Sequence, residues 1–204
     1  MNLYRGCKEA GLKIMEPRIV NHVEAFVYAT DDPIRASIYS VKGGNLNYTN
    51  ILTDDGDKLC LIERVPNCLE RIFNVEGRYY VLDDSTFVKH NEMGVGEHEY
   101  VSKEVVNVID EVVIPNMFQY YLNLEKENKL KIYRYPSRPS FIPIDDSDLI
   151  ECALISGYQF NDYDKAFAFL LSFHPELEKK VNEARNFVKT HSKEDIESSF
   201  KFFK

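Results

Sequence analysis

The hydrophobic pattern changes period once along these 204 residues, near residue 115, and that change bounds the fold more tightly than any motif. Upstream, short runs rich in β-branched and aromatic residues alternate with Gly, Asn and Asp turn signals, the pattern of strands. Residues 23–30, 58–64, 78–82, 99–102 and 105–114 read this way. Downstream, apolar residues recur at helical spacing over 117–127, 148–157, 162–173, 175–190 and 193–203, with an extended piece at 129–135. Three prolines in 136–143 punctuate the passage between the two halves and predict a linker. The expectation is an α+β chain: a strand-rich core over 1–115, a connecting helix, strand and Pro-rich linker over 116–143, and a helical subdomain over 144–204.

Composition places the chain in the ordinary globular range, at 44% hydrophobic and 28% charged residues. A chain of this length can bury one sizeable core or a core with an appendage. No apolar run reaches the roughly 18 residues of a membrane span, and the N-terminus has neither the basic nor the apolar segment of a secretory signal, so a cytoplasmic protein is expected. Cys7, Cys60, Cys68 and Cys152 are widely spaced, without a Cys-x-x-Cys pair or a histidine at ligand spacing, which predicts reduced thiols and no metal. The net charge of −8 argues against extended nucleic-acid binding, which needs a basic surface, but not against a small anionic ligand held by a few donors.

Residue type alone settles several local features. Asp32 caps a helix that starts at Pro33 and shows Ile34, Ile38 and Val41 on one side before Gly43-Gly44 stops it. His174, before Pro175, reads as a helix cap. Lys129, Lys131, Arg134 and Arg138, interleaved with Tyr133 and Tyr135, read as the polar face of an edge strand or as a contact for a phosphate-bearing partner. The Phe167, Phe169, Leu170, Leu171 and Phe173 cluster is helix-packing surface whose exposed remainder suits a homodimer contact.

Two constellations carry possible chemistry. After the glycine-marked Met93-Gly94-Val95-Gly96 comes Glu97-His98-Glu99; in an extended chain Glu97 and Glu99 share one face and His98 takes the other. A solvated acidic strand end is the plain alternative. Arg5 sits between an apolar pair and Gly6, where a guanidinium fork can hold a phosphate or ribose and the glycine admits a ligand to the backbone. An ordinary ion pair is the alternative there.

Taken together, Leu3-Tyr4-Arg5-Gly6-Cys7 resembles the first motif of the ADP-ribosyltransferase superfamily, the strand that starts the NAD site. The stretch from Gly11 to Arg18 resembles the segment after that motif in bacterial and RNA-phosphotransferase-like members. Val27-Tyr28-Ala29-Thr30, running through Asp31-Asp32-Pro33 into a helix with Ala36 and Tyr39, resembles the second block, although the Ser-Thr-Ser triplet of the toxin class is replaced by Tyr28-Ala29-Thr30. Glu99 falls where the third motif's glutamate begins a strand, and Glu97-x-Glu99 is similar to the paired form of arginine-modifying toxins. The likeness covers roughly residues 2–114.

The resemblance implies a split antiparallel β-sheet core that binds NAD as a substrate and transfers ADP-ribose to a protein or small acceptor, releasing nicotinamide. It implies Glu99 as the carboxylate that stabilises the ribosyl cation and Glu97 as the group that orients or deprotonates the acceptor. Arg5 and Gly6 would hold the pyrophosphate or adenosine ribose, Tyr28 and Thr30 would line the site, and Tyr39 would stack on nicotinamide. The alternative is a non-catalytic module of the same fold for protein–protein contact or ligand sensing. In either case Arg5 and Glu99 are expected to face one cleft.

Overall fold

The strands form two separate sheets, the second completed by a strand downstream of residue 115. The computed structural model describes residues 1–19, 24–44, 46–89 and 98–201. In chain order its elements are β1 (Leu3–Gly6), β2 (Ile14–Met15), β3 (Val27–Thr30), α1 (Pro33–Ser37), β4 (Asn50–Asp55), β5 (Lys58–Glu63), α2 (Cys68–Phe73), β6 (Gly77–Leu82), β7 (Val88–Lys89), β8 (Glu99–Ser102), β9 (Val106–Ile114), α3 (Met117–Lys126), β10 (Lys131–Tyr133), α4 (Ser147–Phe160), α5 (Tyr163–Phe173), α6 (Glu178–Thr190) and α7 (Lys193–Ser198). The chain is α+β, and it divides into two compact units, Met1–Asn45 with Leu69–Leu130 and Leu46–Cys68 with Lys131–Lys204.

The first unit carries a seven-stranded sheet in the order β2-β9-β6-β1-β3-β8-β7. Every pairing in it is antiparallel. Alternation puts Leu3, Val27, Ala29, Tyr80, Leu82 and Val106 into a core on one face, closed by Met15. Near Gly6 the backbone of α1 lies against β1, so close that a Cβ on Gly6 would meet the Ala36 carbonyl oxygen at 2.0 Å. Asp32 caps α1 as its sequence implies, accepting from the Ile34 amide at 2.8 Å with Pro33 at the first turn. The helix is shorter than its apolar stripe suggests, giving way after Ser37 to a 3-10 turn over Ile38–Ser40. Ser37 turns its hydroxyl back to the Ile34 carbonyl at 2.7 Å and meets the Tyr121 hydroxyl at 2.9 Å, a local competition that tightens the last turn.

The second unit joins a three-stranded sheet, in the order β10-β5-β4, to α4–α7. Residues 46–68 thus fold with the helices, not with the strands that precede them in sequence, and α3 belongs to the first unit. Five of the six residues of β5 are buried, because β4 flanks it on one side and β10, parallel to it, on the other. The 136–143 segment is no free linker: Ile142 packs with Cys60 and Ile62, and Arg138 donates to the Pro143 carbonyl at 2.7 Å. Around α4 and α5 the core is Tyr48, Leu149, Ala153, Phe167, Leu170 and Val181. His174 caps no helix with its side chain. Its ring is buried and reaches the Tyr48 carbonyl at 2.6 Å and the Glu176 carboxylate at 2.9 Å, tying the end of α5 to the strand-side segment.

A buried charge network fixes this unit. Arg64 holds Asp148 through two bonds of 2.5 and 3.0 Å and Asp146 at 3.1 Å, and Arg138 adds a second bond to Asp146 at 2.6 Å. Burial alone would lower the Arg64 pKa, but its bonds and charge contacts with Asp148 and Asp146 outweigh that and raise it. All four cysteines are free thiols. Among the described residues no group of three His, Cys, Asp or Glu side chains could hold a metal ion, and no helix is long and apolar enough to cross a membrane.

Asp148→Asn should therefore cost about 3–5 kcal/mol, since it leaves the Arg64 charge buried with half its compensation, and the urea midpoint should fall accordingly. Gly6→Ala should cost about 1–3 kcal/mol by pushing α1 off β1, read by the same titration.

Candidate functional site

Three of the residues singled out in sequence fall on neighbouring strands. Tyr4 of β1 pairs with Thr30 of β3, and Thr30 pairs with Glu99 of β8. Directly opposed residues in antiparallel strands point to the same face, so Tyr4, Thr30 and Glu99 form a row across the sheet. Tyr79, paired with Gly6, joins that face by alternation and meets Tyr4 edge to face at 5.8 Å. The Thr30 hydroxyl accepts from the Asp32 amide at 3.3 Å, which leaves its own proton to donate elsewhere.

Arg5 is one residue out of step with that row, and by alternation its Cα–Cβ bond leaves the opposite face, with Leu3. Its guanidinium does not stay with the apolar core. β1 and β3 share only the Tyr4–Thr30 position, and where a continued ladder would have set Gly6 against Tyr28, Arg5 Nη1 instead donates to the Tyr28 carbonyl at 2.8 Å. The arginine thus occupies the place where two strands of the sheet part. Burial lowers its pKa most; the Cys7 thiol, Tyr28 and Tyr39 oppose the shift, and Arg18 adds to it. A guanidinium stays charged throughout. Among the described residues no carboxylate lies within ion-pair distance of it, whereas the buried Arg64 has two.

A cleft of about 190 Å³ opens beside Arg5, lined among others by Cys7, Leu12, Met15, Glu16 and Arg18. Glu99 is not part of its wall. Among the described residues Arg5 and Glu99 do not face one cleft as the sequence leads one to expect: Arg5 leaves β1 one residue out of step with the Tyr4–Thr30–Glu99 row, and Glu99 does not line the cleft. Tyr39 lies in the 3-10 turn after α1 and is 56% exposed as a residue. Its phenol pKa is raised, most by desolvation and further by Glu99, while Arg5 opposes the shift. Tyr28 lines this region from β3, its ring edge-on to Phe26 at 5.8 Å. Glu97 and the 91–96 segment lie outside the described residues.

One pair is not legible in the sequence. Just past the last paired position of β3 and β8, Asp31 meets His98, with Nδ1 at 2.7 Å from the carboxylate and the Tyr100 hydroxyl donating to the other oxygen at 3.5 Å. These residues are 67 apart in the chain, and only the strand register announces them.

The electrostatic link at Tyr39 has a signed consequence. Removing the negative charge with Glu99→Gln should lower the Tyr39 titration midpoint, because the phenolate no longer sits near a carboxylate; Arg5→Met should raise it, because a favourable cation is lost. Tyrosine-selective carbon-13 NMR titration of the two variants reads both shifts. Searches with family models, of curated proteins and of solved structures return no match for this chain.

Proposed function

We propose that the first unit binds NAD and cleaves it, passing ADP-ribose to an acceptor with release of nicotinamide. The observation that carries this reading is Arg5: a partly desolvated guanidinium with a carbonyl partner and, among the described residues, no carboxylate, lining a cleft with Arg18. A desolvated cation without an anion is costly, and a phosphate-bearing ligand would complete it with bidentate, charge-assisted bonds. The pyrophosphate of a dinucleotide has that chemistry.

The row formed by Tyr4, Thr30 and Glu99 supplies the rest of the reading. Loss of nicotinamide leaves positive charge on the ribose C1 and ring oxygen, as in glycoside cleavage, and a carboxylate fixed at that position stabilises the charge as it develops. Glu99 takes this role, Thr30 offers a hydroxyl proton to the sugar, and Tyr39, Tyr4 and Tyr79 provide π faces for the rings. Gly6 does not admit the ligand to the backbone as its sequence suggests, because α1 fills the space where its side chain would stand.

A second reading has its own support. Because Glu99 lies outside the wall of the cleft that Arg5 lines, a dinucleotide seated there by its phosphates could be held without being cut. Calorimetry with NAD, combined with mass spectrometry for nicotinamide, separates the two. The transferase reading expects binding and nicotinamide release, with Glu99→Gln lowering release about 10²- to 10³-fold while the Kd for NAD stays within a few fold. Heat of binding without nicotinamide selects the binding module; no heat at all rejects both.

A further inference from the structure

We infer that Asp31 and His98 form a base for the acceptor, and that the acceptor is a hydroxyl, water included. The inference rests on the NAD-cleaving reading and deepens it. The geometry is that of an oriented imidazole: His98 Nδ1 lies 2.7 Å from Asp31 Oδ1, and Tyr100 steadies the same carboxylate through its second oxygen. An ionised carboxylate accepts only, so in the neutral imidazole the proton sits on Nδ1 and Nε2 keeps its lone pair. The His98 side chain is 42% exposed, so that lone pair is accessible to a molecule arriving from solvent.

Position gives the pair its role. Asp31 comes directly after Thr30 and His98 directly before Glu99, and Thr30 and Glu99 are themselves paired. The base therefore stands one register step from the carboxylate that would stabilise the ribosyl cation, on the outer lip of the same two strands. Asp31 and His98 lie just past the ends of β3 and β8, at the rim where the two strands stop, which leaves His98 beside Glu99 and open to an acceptor arriving there.

Atoms and charge balance in this step. The C1–N bond to nicotinamide breaks with its electron pair going to nicotinamide, which leaves neutral. An acceptor oxygen donates a lone pair to C1, becomes acidic as that bond forms, and loses its proton to His98 Nε2, which later releases it to water. NAD and an alcohol give the alkyl ADP-riboside, nicotinamide and one proton; with water the product is ADP-ribose. His98 is the catalytic residue of this step, and Asp31 positions it.

The test uses the full chain with methanol as hydroxyl probe and agmatine as guanidinium probe. Wild type should form methyl ADP-riboside and leave agmatine unmodified. His98→Ala should lower turnover about 10²-fold at unchanged Kd for NAD, and added imidazole should restore part of the rate, which a merely structural role would not allow. Asp31→Asn should lower kcat at unchanged Kd, with Asp31→Glu recovering part of it. If wild type turns over NAD but His98→Ala does so equally well, or if imidazole rescues nothing, or if agmatine is the better acceptor, the base assignment falls while the NAD reading stands. If wild type releases no nicotinamide, both fall.

Discussion

The first unit depends on the point where β1 and β3 part. Two strands that share a single paired position would ordinarily leave amides and carbonyls without partners at the divergence, and such groups are expensive when desolvated. Arg5 resolves part of this by donating to the Tyr28 carbonyl, so the sheet stays split while the guanidinium is drawn in between. On the same strand, Gly6 lets α1 approach to a distance no side chain would tolerate. A divergence held by one arginine and crossed closely by one helix is a gap with a charge in it, and the neighbouring site residues take their positions from that gap.

Arg5, half-buried, and Arg64, fully buried, show how differently the same side chain can be used. Both terminal nitrogens of Arg64 are held by carboxylates, Asp148 and Asp146, so its net shift is upward. A pair of this kind fixes a conformation but gains little net stability, because the desolvation of both charges offsets most of the attraction. Arg5 has a carbonyl and two phenols in place of carboxylates, a second guanidinium nearby, and a net shift downward. Both are costly in an apolar setting, but of the two only Arg5 has, among the described residues, no carboxylate to neutralise it. The distinction is chemical, and it separates a structural arginine from a candidate binding one on local partners alone.

Much of the architecture is legible in the sequence because its signals are local. Asp32 and Pro33 mark the start of α1 in the way that cap chemistry requires, Asp55-Gly56 marks the turn between β4 and β5, and the helices beyond residue 147 obey their apolar spacing. The illegible part depends on distant partners. The pairing of β5 with β10 joins Cys60 to Lys131 across a stretch of chain that belongs to the other unit, and no local pattern distinguishes such a strand from one that stays with its neighbours. The Pro-rich segment reads as a linker because proline breaks regular structure; Ile142 and Arg138 nonetheless pack it, one by burial and the other by charge. His174 reads as a cap from its place before Pro175, whereas its two ring nitrogens are taken by Tyr48 and Glu176.

The same division between local and non-local signals runs through the site. Arg5, Gly6, Thr30 and Glu99 can be named from short motifs, since each is unusual for its own position. Asp31 cannot, because the Asp31-Asp32-Pro33 run has a sufficient local explanation in the capping of α1. Asp31 and His98 follow directly on the last paired position of β3 and β8, Thr30 with Glu99, and their side chains meet there. The ends of these two strands therefore carry a hydroxyl, a carboxylate and, just past them, an oriented imidazole. A reaction in which charge develops on one atom while a proton leaves another needs two groups set apart in this way: a carboxylate beside the forming cation that keeps its negative charge, and a base that can take the proton without neutralising it.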